Sequence, residues 1–427
     1  MTRTRYRWFV VFLLFAITAI NYVDRAAIAY AIPAIQRDLG LSSADVGLVL
    51  GAFGLGYAIT TLAGGFAVDR WGARAVLTLA AILWSLSIGM TGVATSLAVL
   101  YVARVLLGVS EGPNFPALTG AVSAWLSPHE RATALGNALL AVPLALAVGG
   151  PIVTSLLAWL DWRLTFITLF VLSAAWVPLW WFCFRDDPAA SSHVTAAELA
   201  HIRRQEPGVA ATPHAVLKSW PEARVLRTLL TNRTLLANYW AFFVFGYFLF
   251  FFMTWLPSYL EKKYGLNLAA VGLFTVAPWL AAALLLWALG RWSDRLLQTT
   301  GRLRIARSWL IAGTQLVAAL AVIPVALTDN LTVAIVGITI AVAASMGANA
   351  AYYAVNVDIV PARAATALGL MDFAFALAGF LAPAITGWVL GLRGNFVDGF
   401  LLMAALAFSS VLVVMLFHHP DEDREAS

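Results

Sequence analysis

Residues 65–74 read Gly65-Phe66-Ala67-Val68-Asp69-Arg70-Trp71-Gly72-Ala73-Arg74, and a weaker copy returns as Gly290-Arg291-Trp292-Ser293-Asp294-Arg295. Each copy closes the second apolar run of its half of the chain. Outward from these two points, apolar stretches recur from end to end, each near the ~20 residues that a helix needs to cross a bilayer. In hydrocarbon every backbone group must be satisfied within the spanning structure, which leaves helices or a closed barrel. Long continuous runs exclude the alternating pattern of barrel strands. The composition agrees: 61% of the 427 residues are hydrophobic and 11% charged, against roughly 25% charged in a soluble chain. The expected fold class is all-α, a polytopic membrane protein of about twelve transmembrane helices in two six-helix bundles. The bundles occupy 1–184 and 236–418, with a polar linker at 185–235 and a tail at 419–427.

Both copies of the loop fall on the same side, so the halves share one orientation. That is a parallel repeat about an axis along the membrane normal. Most of the 27 Lys and Arg lie on the side of the termini, and the positive-inside rule then places both termini in the cytoplasm. The expected location is the inner membrane. A net charge of +5 first suggests nucleic acid, but the basic residues lie between spans, where topology accounts for them. The linker carries Asp186, Asp187, Arg203, Arg204, Lys218 and Arg224, with room for one short amphipathic helix. The single cysteine, Cys183, excludes an internal disulfide and has no metal-site spacing. The basic start, Met1–Trp8, mimics a secretory signal. No small-residue cleavage site follows it, so it reads as a retained first span.

Four charges lie deep in the amino-terminal half: Asp24, Arg25, Arg104 and Glu111. Each costs roughly 2.5–3.5 kcal/mol at a helix centre unless it pairs or meets water. Arg104, Gly108 and Glu111 fall at i, i+4 and i+7, on one helix face. Tyr22 and Arg25 likewise share a face of the first span. One reading makes the four charges inert ion pairs that fix packing. The other makes them a transport site. There Arg25 offers a planar fork to a substrate carboxylate, with Tyr22 adding a hydroxyl. Glu111, raised in proton affinity by desolvation, takes and releases a proton, Asp24 is a second proton site, and Arg104 is its alternate partner.

The loop Gly65-x-x-x-Asp69-Arg70-x-Gly72-x-Arg74 resembles the signature loop of the major facilitator superfamily. Three further pieces resemble its anion:cation symporter branch, which holds sugar-acid transporters, vesicular glutamate transporters and sialin. They are Asn21-Tyr22-Val23-Asp24-Arg25, Arg104-x-x-x-Gly108-x-x-Glu111-Gly112 and Thr254-Trp255-Leu256-Pro257-x-Tyr259-Leu260. The resemblance implies the same roles for the four buried charges, with protons as the coupling ion and no other cofactor.

Further substrate contacts are expected from Tyr57, Asn137, Tyr247, Ser345, Asn349, Tyr353 and Asn356. Each isolated polar residue in a span could equally make only an interhelical hydrogen bond. The Phe-rich run from Phe242 to Phe252 reads as lipid-facing packing rather than an aromatic box. Asp372, in Gly369-Leu370-Met371-Asp372-Phe373, stands where the family usually has asparagine. It is either a partly protonated acid in a neutral hydrogen bond or an ionised group that favours a hydroxyl array or an amine. Gly65, Asp69, Arg70, Arg74, Asp294 and Arg295 belong to gating, latching the halves in the outward-open state.

The function expected is proton-coupled import of a small organic anion, such as a hexonate, hexuronate or aldarate, by a monomer in membrane lipid. Alternatives are an exporter or exchanger of organic or aromatic acids, since Gly149-Gly150-Pro151 resembles part of an exporter motif, and a transport-like ligand sensor. No nucleophile–base set, metal cluster or phosphate loop points to an enzyme.

Overall fold

The computed structural model describes residues 5–203, 227, 229–360 and 364–425. The linker residues Arg204, Lys218 and Arg224 lie outside them. In the first half α1 is Tyr6–Leu39, α2 Ser43–Gly92, α3 Leu97–Glu111, α4 Asn114–Trp125, α5 Pro128–Trp159 and α6 Trp162–Cys183. A short α7, Ala196–Ile202, lies in the linker. In the second half α8 is Arg233–Tyr264, α9 Leu268–Phe274, α10 Val276–Thr300, α11 Trp309–Leu327, α12 Leu331–Gly347, α13 Asn349–Ile359, α14 Ala364–Arg393 and α15 Val397–Phe417, with a short α16 at Pro420–Glu425.

Eleven stretches of the described residues are long and apolar enough to cross a membrane. The remaining crossing, 97–125, is broken at Gly112-Pro113 into α3 of 15 residues and α4 of 12. Proline removes a donor and clashes with the preceding turn, so the break falls directly after Glu111. The chain turns back where polar side chains cap the next helix. Ser42 and Asp45 form a capping box before α2, and Asp161 accepts from Leu164 N at 2.7 Å before α6. Asn232 and Asn267 do the same before α8 and α9. Each cap contributes about 1 kcal/mol.

Both termini meet the linker at one end of the molecule. Arg7 donates to the buried Glu198 of α7 at 3.1 Å and to Glu130 at 3.0 Å. Burial opposes charge on Glu130, but hydrogen bonds from Arg7 and Ser127 outweigh it and hold the carboxyl at about 2. At the other end of the linker, His419 N donates to Thr234 Oγ1 at 3.0 Å. Residues 185–203 of the linker are therefore docked onto the first half.

The two halves meet through α2 on α14, α5 on α9 and α10, and α1 on α8. Glycine permits the closest approach. A Cβ at Gly54 would lie 2.3 Å from Phe380 N, and one at Gly47 would lie 2.9 Å from Gly387 Cα. Gly150, expected as part of an exporter motif, belongs to the same seam, since a Cβ there would meet Thr275 Oγ1 at 2.4 Å and Tyr30 Oη at 2.7 Å. Tyr30 donates to Thr275 across the seam at 3.1 Å. The contacts of Gly47, Gly150 and Tyr30 lie toward the end far from the linker, so the halves are closed there. Replacing Gly54 by leucine is expected to force that seam open. Labelling of a cysteine placed at Thr275, in a Cys183→Ser background, by a membrane-impermeant thiol reagent should rise ~tenfold while uptake falls. Unchanged labelling would show that the seam does not govern closure.

Candidate functional site

Close helix packing builds the first wall of the site. A Cβ at Gly108 would lie 2.1 Å from Phe53 O, and one at Gly56 would lie 2.0 Å from Val105 O. These two glycines let α3 press onto α2 and carry Arg104 and Glu111 to the middle of the half. There Arg25 of α1 donates to Glu111 Oε2 from Nη2 at 2.7 Å and from Nε at 3.0 Å. The side chains are 1% and 0% exposed, so the pair is fully desolvated. Arg25 Nη2 also donates to Asn21 Oδ1 at 3.2 Å. The guanidinium lies over the rings of Phe53 at 4.3 Å, Tyr22 at 4.4 Å and Tyr57 at 5.3 Å. One corner of each charged group stays unused: Arg25 Nη1 and Glu111 Oε1 have no hydrogen-bond partner among the described residues.

Arg104 is expected as the alternate partner of Asp24, and in this conformation each has another neighbour. Asp24 accepts from Ser173 of α6 at 2.5 Å. Arg104 makes no ion pair among the described residues, and its guanidinium lies 5.4 Å from the Phe53 ring centroid. Asp24 and Arg25 are adjacent on a helix, about 100° apart, so they face different neighbours. Arg25 turns to Glu111 and Asp24 turns to α6. Ser173 carries no sequence signal beyond being a lone hydroxyl in an apolar run, and Asn21 gains its role only through Arg25.

A cavity between the halves brings together Tyr22 and Tyr57 from the first half with Asn349, Tyr353 and Asp372 from the second. Tyr353 donates to Asp372 Oδ1 at 3.4 Å. Its walls are Phe115, Leu139, Val142, Phe242, Phe245, Leu249, Leu286, Met346 and Phe375. The run Phe242–Phe252, expected to face lipid, is buried except at the half-buried Phe243. Helix α8 packs against α1, α12, α14 and α15, and a helix that is apolar all round is one covered all round.

Four expected substrate contacts lie elsewhere. Asn137 opens onto a separate lateral groove with Trp8, Val11, Phe12 and Phe15. Ser345 donates to Val342 O at 3.0 Å and stands behind the cavity wall. Asn356 is buried in the second half, donating to Tyr352 O at 2.9 Å and contacting Met371 Sδ at 3.2 Å. Tyr247 is buried beside Phe243 and does not line the cavity. In each case helix rotation turns the side chain away from the midline.

At the linker end each charged loop binds its own half. Gly72 sits at φ +80°, where an added Cβ would strike the Asp186 carboxylate at 2.5 Å. Asp186 accepts from Arg74 N at 3.0 Å, and the Arg74 guanidinium donates to Trp181 O at 2.6 Å. In the second half Asp294 accepts from Arg307 at 3.0 Å, and Arg307 also approaches Asp358 at 3.6 Å. Gly65 is half-buried, while Asp69, Arg70 and Arg295 are exposed. The expected bridge between halves is thus unmade while the far end is closed.

The family model described as Major Facilitator Superfamily matches residues 14–383. The chain is 32% identical to a hexuronate transporter of Bacillus subtilis (strain 168), covering 96% of this chain and 94% of that one. It is 31% identical to a probable sulfoacetate transporter, SauU, of Cupriavidus necator, covering 94% and 93%. It is 30% identical to a probable galactarate/D-glucarate transporter, GudP, of Bacillus subtilis, covering 98% and 93%. Among solved structures, a bacterial homolog to the human lysosomal transporter Spinster, inward-facing and unoccupied, superimposes with a TM-score of 0.78 at 19% identity over 100% of this chain and 99% of that one. That likeness concerns the fold. Repeat, twelve crossings, buried charges and a cavity between two halves all agree with these matches: the chain is a multi-pass membrane transporter and belongs to the Major Facilitator Superfamily.

Proposed function

We propose that the protein imports a sugar acid together with a proton across the inner membrane, as a monomer with both termini in the cytoplasm. The observation that carries this reading is the buried Arg25–Glu111 pair directly behind Tyr22 and Tyr57 of the cavity wall, with Arg25 Nη1 left without a partner among the described residues. A guanidinium half-used by an internal carboxylate is a site for a second carboxylate. Protonation of Glu111 weakens its hold on Arg25 and frees the whole fork for substrate. The relatives named for hexuronate, galactarate/D-glucarate and sulfoacetate support an organic acid as the cargo. With the termini cytoplasmic, closure at the far end makes this conformation inward-facing.

Transport then alternates between two closures of one site. Outside, a proton on Glu111 and an acid on Arg25 neutralise the cavity, and the halves rock until the far seam forms. Inside, the proton leaves, Glu111 reclaims Arg25, and the acid is displaced. Asp24 on Ser173 serves as the second proton site. The gating residues Asp69, Arg70, Asp294 and Arg295 exchange their present partners or solvent for each other when the far end opens.

The test is uptake into proteoliposomes by the full chain, with radiolabelled D-glucuronate, D-gluconate, D-glucarate and sulfoacetate. An inward proton gradient is expected to concentrate at least one of them well above the level reached without a gradient. Equal uptake of every acid with and without the gradient would remove proton coupling from the reading.

A further inference from the structure

Asp372 lies in the central cavity and plays no part in the coupling just described. Its carboxylate has one polar contact, the Tyr353 hydroxyl at 3.4 Å, and makes no ion pair among the described residues. Its neighbours in the cavity, Phe242, Phe245 and Phe375, offer neither charge nor hydrogen bond. Facing it from the first half are the hydroxyl-bearing rings of Tyr22 and Tyr57, and behind those rings lies the Arg25 guanidinium. The site is therefore polarised. It has a cation behind the tyrosines of the first half, a carboxylate on the wall of the second, and the neutral hydroxyl and amide groups of Tyr22, Tyr57, Tyr353 and Asn349 lining the space.

A molecule held there through one carboxylate on Arg25 presents its other end to Asp372. Hydroxyl groups suit that end, because each can donate to a carboxylate. A second carboxylate does not suit it when Asp372 is ionised, since like charges in a water-poor cavity repel strongly and no cation among the described residues is paired with Asp372 to offset them. We propose that Asp372 is a specificity-determining residue that restricts the site to hydroxylated monocarboxylates, of the hexuronate or hexonate kind, and excludes the aldarates. The inference rests on the reading of the protein as a sugar-acid transporter.

The experiment measures competition in proteoliposomes carrying the full chain, with D-glucuronate and D-gluconate as monoacids and D-glucarate and galactarate as diacids. The wild type is expected to prefer its best monoacid over either diacid by ~tenfold or more, the scale of an unrelieved like-charge contact. Asp372→Asn keeps the volume, removes the charge and adds a donor, so it should collapse that preference by a similar factor through gained affinity for the diacids. Asp372→Glu keeps the charge and should keep the preference. A wild type that takes diacids as well as monoacids, or an unchanged ratio in Asp372→Asn, would overturn the inference and leave sugar-acid transport standing. Uptake of none of the four acids would overturn both. Should Asp372→Asn fail to reach the membrane, the wild-type ratio decides alone, and a ratio near one rejects the inference.

Discussion

Glu111→Gln is expected to abolish proton-driven accumulation while sparing exchange of the same acid across the membrane. Glutamine keeps the shape of the buried group and its acceptor for Arg25, but it cannot cycle a proton. Gradient-driven accumulation should drop to the level of a liposome without a gradient, and counterflow between labelled and unlabelled acid should continue. The variant also leaves the Arg25 charge buried without its counter-charge, and breaking a buried pair in this way costs about 3–5 kcal/mol. A lower thermal midpoint in detergent is therefore part of the expected result. Accumulation that persists in Glu111→Gln would move the coupling site elsewhere, with Asp24 on Ser173 the next group to change.

Arg25 carries the second large effect, on binding rather than coupling. Each hydrogen bond to a charged group contributes roughly 1.5–3 kcal/mol, so losing a two-pronged grip on a carboxylate should weaken apparent affinity ~100-fold or more. Arg25→Lys is expected to behave nearly as badly as Arg25→Met, because an ammonium cannot reproduce the fork or its fit over the rings of Tyr22, Phe53 and Tyr57. Arg25→Met alone strands Glu111 as a buried charge. The double variant Arg25→Met with Glu111→Gln removes both charges and should recover most of the lost thermal stability, since replacing a buried pair by neutral groups is often neutral or stabilising. It should remain unable to transport. Recovery of uptake in the double variant would reduce the pair to a packing device, which is the alternative reading of these charges.

The division of labour between chain and fold shows in single residues. Spans announce themselves because a bilayer demands about 20 apolar residues and forbids unsatisfied backbone. Their ends are visible because Ser42, Asp161, Asn232 and Asn267 supply caps within three residues of the donors they satisfy. The break after Glu111 is written in Gly112-Pro113. The parallel repeat is written in Gly65–Arg70 and Gly290–Arg295. That Arg25 and Glu111 face one another is also foreseeable, because isolated charge in hydrocarbon is so costly.

What the chain alone leaves undecided is every choice that depends on how one helix is rotated against another. Asp24 and Arg25 share a motif, yet Ser173, 149 positions away, claims the first and Glu111, 86 positions away, claims the second. Ser345, Asn349 and Tyr353 look equivalent as a stripe, with Asn356 on a neighbouring face, but α12 ends at Gly347 before α13 begins at Asn349. That interruption parts Ser345 from Asn349 and Tyr353, which line the cavity, while Asn356 turns into the core. The phenylalanines of α8 read the same whether they face lipid or protein, because both are apolar. Composition, length and caps are local and act within a few residues, so the amino-acid sequence by itself determined the spans, their ends and the cost of the charges buried within them. Partner choice, the far seam and the position of Asp372 opposite Arg25 depend on contacts between remote helices, and only the tertiary packing decided them.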